Sequence, residues 1–327
     1  MSKVSAEALE AMYLSLLEEA QLNLNYMILT VGACLIATFG LIANSTAVII
    51  GAMIVAPLMM PLRGLAFGAL EGNPVLFRRS LSSLLVATLV AIFLSYSLGL
   101  LLNFPEFGSE VLARTQPNLI DLGIAVAAGG ISGFAKVRPR ISDALAGTAI
   151  AVALMPPLCV VGLSLSQKMW QFSWGALLLY LTNFLGITLA CMLVFVWAGY
   201  SPLAKSRKAL FWALALTGVL VIPLGASFVQ LLRQAQLQAT IRKILVSRTV
   251  TVGQQVELIN TEVNWTAAPP EVRLIVLAKQ PLTAKQVALV EQFLTREMRQ
   301  PFQLIFEVRK VEEVRAKDIV KSGSKKF

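Results

Sequence analysis

The residues of this sequence with the means to hold a solute are few, and they sit in or beside apolar runs. Pro57 and Pro61 interrupt GAMIVAPLMMPLRG, and Pro156 and Pro157 interrupt GTAIAVALMPPLCVVG. A proline lacks a backbone donor and clashes with the turn before it, so both runs are expected to break or kink strongly near their middles. Where no water is present, backbone groups freed at such a break need a cavity or a polar partner. Asn44, Ser45 and Thr46 lie between two runs, Thr148 precedes the second proline pair, and Asn183 stands inside a later run. These nine residues form the expected solute site. The N-terminal end of a half-helix favours an anion, and no Asp or Glu lies near the middle of a run, so an anionic or neutral solute is expected. The plainer reading of the same residues is that the prolines kink helices for packing and that Asn44 and Ser45 cap a tight turn.

Other chemistry is poorly provided for. Histidine is absent, which removes the commonest general base and the commonest zinc ligand. Cys34, Cys159 and Cys191 lie in apolar runs without CxxC spacing and read as small core residues. Neither a paired carboxylate nor a Ser-Lys arrangement occurs inside a run, so an enzyme, a cofactor and a metal are not expected. Asp121, Asp143 and Glu71 stand near run ends, where solvated or ion-paired charges are ordinary.

The elements that must position these residues are membrane helices. The chain of 327 residues is 57% hydrophobic and 14% charged, far more apolar than a soluble domain. Apolar runs long enough to cross a hydrocarbon core of about 30 Å span roughly 26–43, 46–70, 81–102, 119–135, 144–165, 175–199 and 209–232. Each proline-interrupted run is the middle one of three. Two successive triplets must lie in opposite orientations, which predicts a 3+3 inverted repeat with two broken helices; the strings AVIIGAMIVAPL and GTAIAVALMPPL match in support. Gly129 and Gly133, with Gly130 beside them, give the fourth run a face suited to close helix contact, inside the bundle or between copies of the chain.

Before the first run, residues 1–24 contain an amphipathic helix with Ser5 as N-cap and Leu9, Met12, Tyr13, Leu16 and Leu17 on one face. Its other face carries Glu7, Glu10, Glu18 and Glu19, which favours packing on the protein over anionic headgroups. The spans and their loops occupy residues 25–232, residues 233–310 read as a small α/β soluble domain, and 311–327 as a charged, disordered tail. Arg63, Arg78, Arg79, Lys136, Arg138, Arg140, Lys205, Arg207 and Lys208 fall in loops of one side, against Arg114 and Lys168 on the other. The N-terminus is therefore expected in the cytoplasm and, with seven spans, the C-terminal domain outside. The net charge of +10 is concentrated after residue 229, but no aromatic-interleaved basic motif suggests nucleic acid. The expected partners are the bilayer, a small solute or ion, and further copies of the chain.

The segments NSTAVIIGAMIVAPLMMPLRG (44–64) and ALAGTAIAVALMPPLCVVGLSL (144–165) resemble the two signature segments of an uncharacterised bacterial membrane family, the domain of unknown function 389. The resemblance covers roughly residues 25–200. It implies an integral protein of prokaryotic inner membranes and no particular substrate. Transport through a site between the broken helices is the expected function; the alternative is a membrane-anchored sensor or scaffold acting through its C-terminal domain.

Overall fold

The computed structural model describes residues 4–102, 107–138, 143–248, 256–264, 269–278, 283–298 and 301–310, with the backbone alone over 143–153, 203–204, 242–248, 256–258 and 309–310 and at 238, 260, 262, 264 and 278. The expected tail, 311–327, lies outside the described residues. The chain divides into two compact units, residues 1–228 and 229–327.

The first unit is helical. Helix α1 (Ala6–Glu19) is capped by Ser5, whose hydroxyl accepts from the Ala8 amide at 3.2 Å. Then follow α2 (Leu24–Ile42), α3 (Thr46–Val55), α4 (Met59–Glu71), α5 (Pro74–Leu102), the single turn α6 (Ser109–Leu112), α7 (Leu119–Val137), α8 (Asp143–Ser166), α9 (Trp170–Trp197) and α10 (Leu203–Arg248). Among the described residues five helices are long and apolar enough to cross a membrane: α2, α5, α7, α9 and Lys205–Ile241 of α10. The pair α3 and α4, bent by 53°, makes a sixth if counted as one span. The remaining expected run, 144–165, lies on α8, of which the part with described side chains, Leu154–Ser166, is apolar but short.

Burial follows the logic of a lipid-facing bundle. Large apolar side chains such as Ile28, Leu89, Phe93, Leu101 and Trp174 point outward, whereas Thr30, Thr38, Ser83, Ser95, Thr182 and Asn183 are buried. Lipid tails give apolar side chains no reason to turn inward, so small and hydrogen-bonding residues collect where helices meet. The Thr38 and Ser95 hydroxyls join α2 to α5 at 2.8 Å, and Thr88 and Tyr180 join α5 to α9 at the same distance.

Only one of the two expected breaks forms. Ala56, forced toward extended backbone by the proline that follows it, takes ψ 123° and ends α3; α4 restarts at Met59 and includes Pro61 in its first turn. α8, by contrast, stays helical through Pro156 and Pro157. Packing accounts for the difference. Leu154, Met155, Leu158, Cys159, Val160, Val161 and Leu163 are all buried, and α8 lies against α2, α3, α5, α7 and α9, so neighbours hold it on every side. α3 buries only Ile49, Ala52 and Met53 and is free to turn away.

The glycine face of α7 is spent inside the bundle. A Cβ on Gly129 would stand 2.5 Å from the Ile187 carbonyl oxygen and 2.6 Å from its Cα, and one on Gly133 would meet Val194 and Cys191 of α9. The Cys191 thiol also reaches the Gly129 carbonyl at 3.2 Å.

In the second unit β1 (Val256–Asn264), β2 (Glu271–Ala278) and β3 (Gln303–Lys310) form a sheet in the order β1-β2-β3. The β1–β2 pair is antiparallel; β2 and β3 are parallel and are linked through α11 (Ala284–Met298). Thr283 and Gln286 cap α11 reciprocally, with the Thr283 amide donating to the Gln286 side chain at 2.9 Å. Val272, Leu274, Val276, Val290, Leu294, Phe302 and Leu304 close the core with Ile241 of α10.

Adjacent glycines on α7 should respond in opposite ways. Gly129→Ala, which drives a methyl into α9 backbone, is expected to destabilise by about 1–3 kcal/mol. Gly130→Ala meets nothing within 4 Å and is expected to stabilise the helix by roughly 0.5–1 kcal/mol. Thermal unfolding of the two variants in detergent checks the contrast.

Candidate functional site

The sharp turn between α2 and α3 is made by Asn44, which adopts the left-handed φ of 50° that asparagine tolerates, while the Ser45 amide returns to the Gly40 carbonyl at 2.8 Å. The side chains of this turn do more than cap it. The Glu110 amide of α6 donates to Asn44 Oδ1 at 2.9 Å, Ser109 hydrogen-bonds the same side chain, and the Thr46 hydroxyl donates to Glu110 Oε1 at 2.6 Å. Ser45 makes no side-chain capping bond to α3. Gly108 lets the α6 turn come this close, because a Cβ there would lie 2.5 Å from Asn44 Oδ1.

Glu110 also pairs with Arg114, whose Nη1 lies 2.9 Å from Glu110 Oε2 and also donates to the Glu110 carbonyl. Thr46, and with it Arg114, holds the Glu110 carboxyl below the ordinary carboxylate range. Beneath these residues opens a cleft of about 290 Å³ lined by Glu110, Ala113, Arg114, Asp121, Ile124, Pro157, Leu179 and Asn183. Helices α6, α7, α8 and α9 supply its walls. Asn118 and Asp121 form a reciprocal capping box at the start of α7, with the Asn118 amide donating to Asp121 Oδ2 at 2.8 Å. The carboxylate is thereby fixed at the cleft wall. Asn183 lies deeper, 5% exposed on α9.

Of the nine expected site residues, Pro157 and Asn183 line this cleft, and Asn44 and Thr46 hold the α6 turn at its mouth. Ser45 belongs to the same turn. Pro57 and Pro61 lie at the α3–α4 bend and do not line the cleft; Pro156 is adjacent to Pro157 but is not among the lining residues. Thr148 is on α8, with its side chain outside the described residues. The cleft is therefore bounded by one proline segment, whereas the sequence placed the site between two. Glu110, Arg114 and Asp121 were missed as site residues. The Asn118-x-x-Asp121 spacing of a capping box was legible and marks a fixed carboxylate at a span entrance, but nothing in the sequence brings it opposite Pro157.

A second polar cluster occupies the other end of α7. Glu19 of α1 accepts from Arg63 Nη2 at 3.0 Å through Oε2 and pairs with Lys136 Nζ through Oε1, and Lys136 also donates to Ser15 Oγ at 2.7 Å. Arg63 and Lys136 are 1% and 8% exposed at the side chain. Lys205, near the start of α10, pairs with Glu71, the last residue of α4, at 2.7 Å.

Because the Glu110 carboxyl is lowered, its contribution is complete above an ordinary glutamate pKa of about 4.3 and is lost as pH falls through the lower folded value. The stability difference between the parent and Glu110→Gln is expected to be under about 1 kcal/mol, flat from pH 7 to about pH 5, and to diminish as the pH falls below about 4.3. Melting curves across that range measure it.

Comparison with known proteins gives a relative, an uncharacterized protein of Methanocaldococcus jannaschii, that is 29% identical over 208 residues, covering 62% of this chain and 65% of the relative. The chain thus spans about two thirds of that protein's length, and the likeness reaches an archaeal source. Residues 53–189, from the end of α3 to the middle of α9 and so including the α3–α4 bend, α8 and the cleft-lining Asn183, match the family model described as "Domain of unknown function (DUF389)", and the chain carries that domain.

Proposed function

We propose that this protein is a non-enzymatic membrane transport protein, a transporter or channel, moving a small solute or ion by way of the cleft between α6, α7, α8 and α9. The observation that carries this reading is the cleft itself. It opens beside the α6 turn and extends to Asn183, a buried polar side chain halfway along a helix that is long and apolar enough to cross a membrane. A helix serving only as an anchor has no use for a polar recess at that depth. The preference for an anionic or neutral solute is weakened on the cleft side, where Asp121 and Glu110 stand against Arg114 alone and where α8 presents no half-helix N-terminus.

The reading includes seven spans, α8 and the α3–α4 pair among them, arranged as a 3+3 inverted repeat. Helix pairing supports it. The last helix of each triplet, α5 and α9, packs on the middle helix of the other, α8 and α4. Within each triplet the middle and last helices pack together, as do the first and last. The ion pairs of Glu19 with Arg63 and Lys136, and of Glu71 with Lys205, gather basic residues at one end of the bundle, which supports a cytoplasmic N-terminus at a prokaryotic inner membrane and an extracytoplasmic C-terminal unit. The second reading is a sensor or scaffold acting through the sheet of β1, β2 and β3.

Two measurements test this. Solute flux into proteoliposomes, screened over small cations, anions and neutral solutes, should be present for the parent. It should fall at least about tenfold for Asn183→Leu, which fills the cleft floor, at little change in thermal stability. No flux of any class, or unchanged flux in that variant, overturns the transport reading. A cysteine in place of the exposed Lys285 on α11 should react with a membrane-impermeant reagent in intact spheroplasts. Labelling only after lysis means an even number of spans.

A further inference from the structure

A second recess, of about 360 Å³, shares no residue with the cleft. It is lined by Ala20, Gln21 and Leu22 of the α1–α2 connection and by Arg79, Ser82 and Ser83 of α5. The lining holds one cation, neutral polar groups and no carboxylate, whereas the cleft carries Glu110 and Asp121. Its inner wall is fixed: Ser83, 1% exposed, donates to the Ala20 carbonyl at 2.7 Å, and the Tyr26 hydroxyl donates to the Ser83 carbonyl at 3.1 Å. Arg79 and Gln21 are exposed, and among the described residues neither the guanidinium nor the Gln21 side-chain amide has a polar partner.

The depth of the recess decides what these donors meet. The apolar run 81–102 gives about 33 Å of helix, enough for the hydrocarbon core, so Arg79 stands just outside it, at the level of lipid headgroups. From Ser82, the exposed Leu85, Leu89 and Phe93 follow at intervals of three or four residues on one face of α5. The rise from Ser82 to Phe93 is about 16 Å, close to the hydrocarbon depth of one leaflet. Leu22 of the recess and Leu24 and Ile28 of the adjoining α2 are exposed as well. A Cβ on Gly64 would meet both Ser80 and Ala20, which puts the recess at the same end of the bundle as the neighbouring Arg63.

We propose that this recess binds one anionic phospholipid, with the Arg79 guanidinium and the Gln21 amide on its phosphate and an acyl chain along Leu85, Leu89 and Phe93. A net negative headgroup is favoured because the lining has no carboxylate to receive the ammonium group of a zwitterionic one. Basic pockets among spanning helices hold such headgroups, and one arginine near the membrane surface is worth about fivefold in affinity.

The test titrates phosphatidylglycerol into the full chain in detergent and counts bound lipid by native mass spectrometry. One lipid per chain should be held more tightly than phosphatidylcholine of the same acyl chains, which has the phosphate and tails but adds a cation. Arg79→Gln should weaken phosphatidylglycerol about fivefold. Ser82→Phe, which fills the recess, should weaken it at least as much, and it serves if Arg79→Gln does not fold. Arg78→Gln removes the adjacent exposed cation, which does not line the recess, and should change binding by less than about twofold. Equal loss in the Arg78 and Arg79 variants means a diffuse field of charge and overturns the site. So does an absence of preference over phosphatidylcholine, or unchanged binding in the recess variants that fold. Inorganic phosphate and glycerol phosphate separate the sources: failure to displace the lipid supports the proposal, and displacement assigns the recess to a free phosphate and overturns it.

Discussion

Close backbone contact between α8 and α5 is the constraint on which the bundle depends. Gly162 of α8 lies where a Cβ would come within 2.5 Å of the Ile92 carbonyl oxygen and 2.8 Å of the Tyr96 amide. No side chain fits there, and the contact sets α8 at the centre, with α2, α3, α7 and α9 around it. In lipid, where apolar side chains gain nothing by leaving their surroundings, van der Waals contact of this kind and a few hydrogen bonds are what hold helices together. Gly129 on α7 repeats the device against α9.

That central position explains why two similar proline segments behave differently. Local chemistry is the same at both: a missing donor and a ring that crowds the preceding turn. α3 has one side against the bundle and yields, bending by 53° into α4. α8 is enclosed, and bending it would open voids against several neighbours at once, so it remains helical at the cost of the amide donors that the Val152 and Ala153 carbonyls, four residues before each proline, would otherwise meet within the helix. Pro157 then borders the cleft.

The polar groups of the first unit are sorted to its two ends with different strengths. At the cleft end, Glu110, Arg114, Thr46 and Asn44 form partly exposed contacts of small individual energy that hold a four-residue turn in place. At the other end, Arg63 and Lys136 are withdrawn from water and share the Glu19 carboxylate. Loss of a single partner is mild in the first case and severe in the second.

Much was legible in the sequence because it depends on local chemistry. The apolar runs, the turn at Asn44 and Ser45, the Ser5 and Thr283 caps, the stop at Pro57 and the alternation of β2 and β3 each follow from a few neighbouring residues, and composition alone pointed to the bilayer. What tertiary structure decided is what those residues face. Whether Pro156 and Pro157 break a helix depended on its neighbours, and whether Gly129 packs inside or outward depended on where α9 lies. Asp121 read as an ordinary charge at a span end, and Glu110 carried no signal of its own, until the cleft brought both opposite Pro157 and Asn183. Glu19 sits among four acidic residues on an amphipathic helix, and nothing in its own segment separates it from Glu18. Its role comes from Arg63 and Lys136, 44 and 117 residues away in the chain, which only the packed bundle brings to its two oxygens.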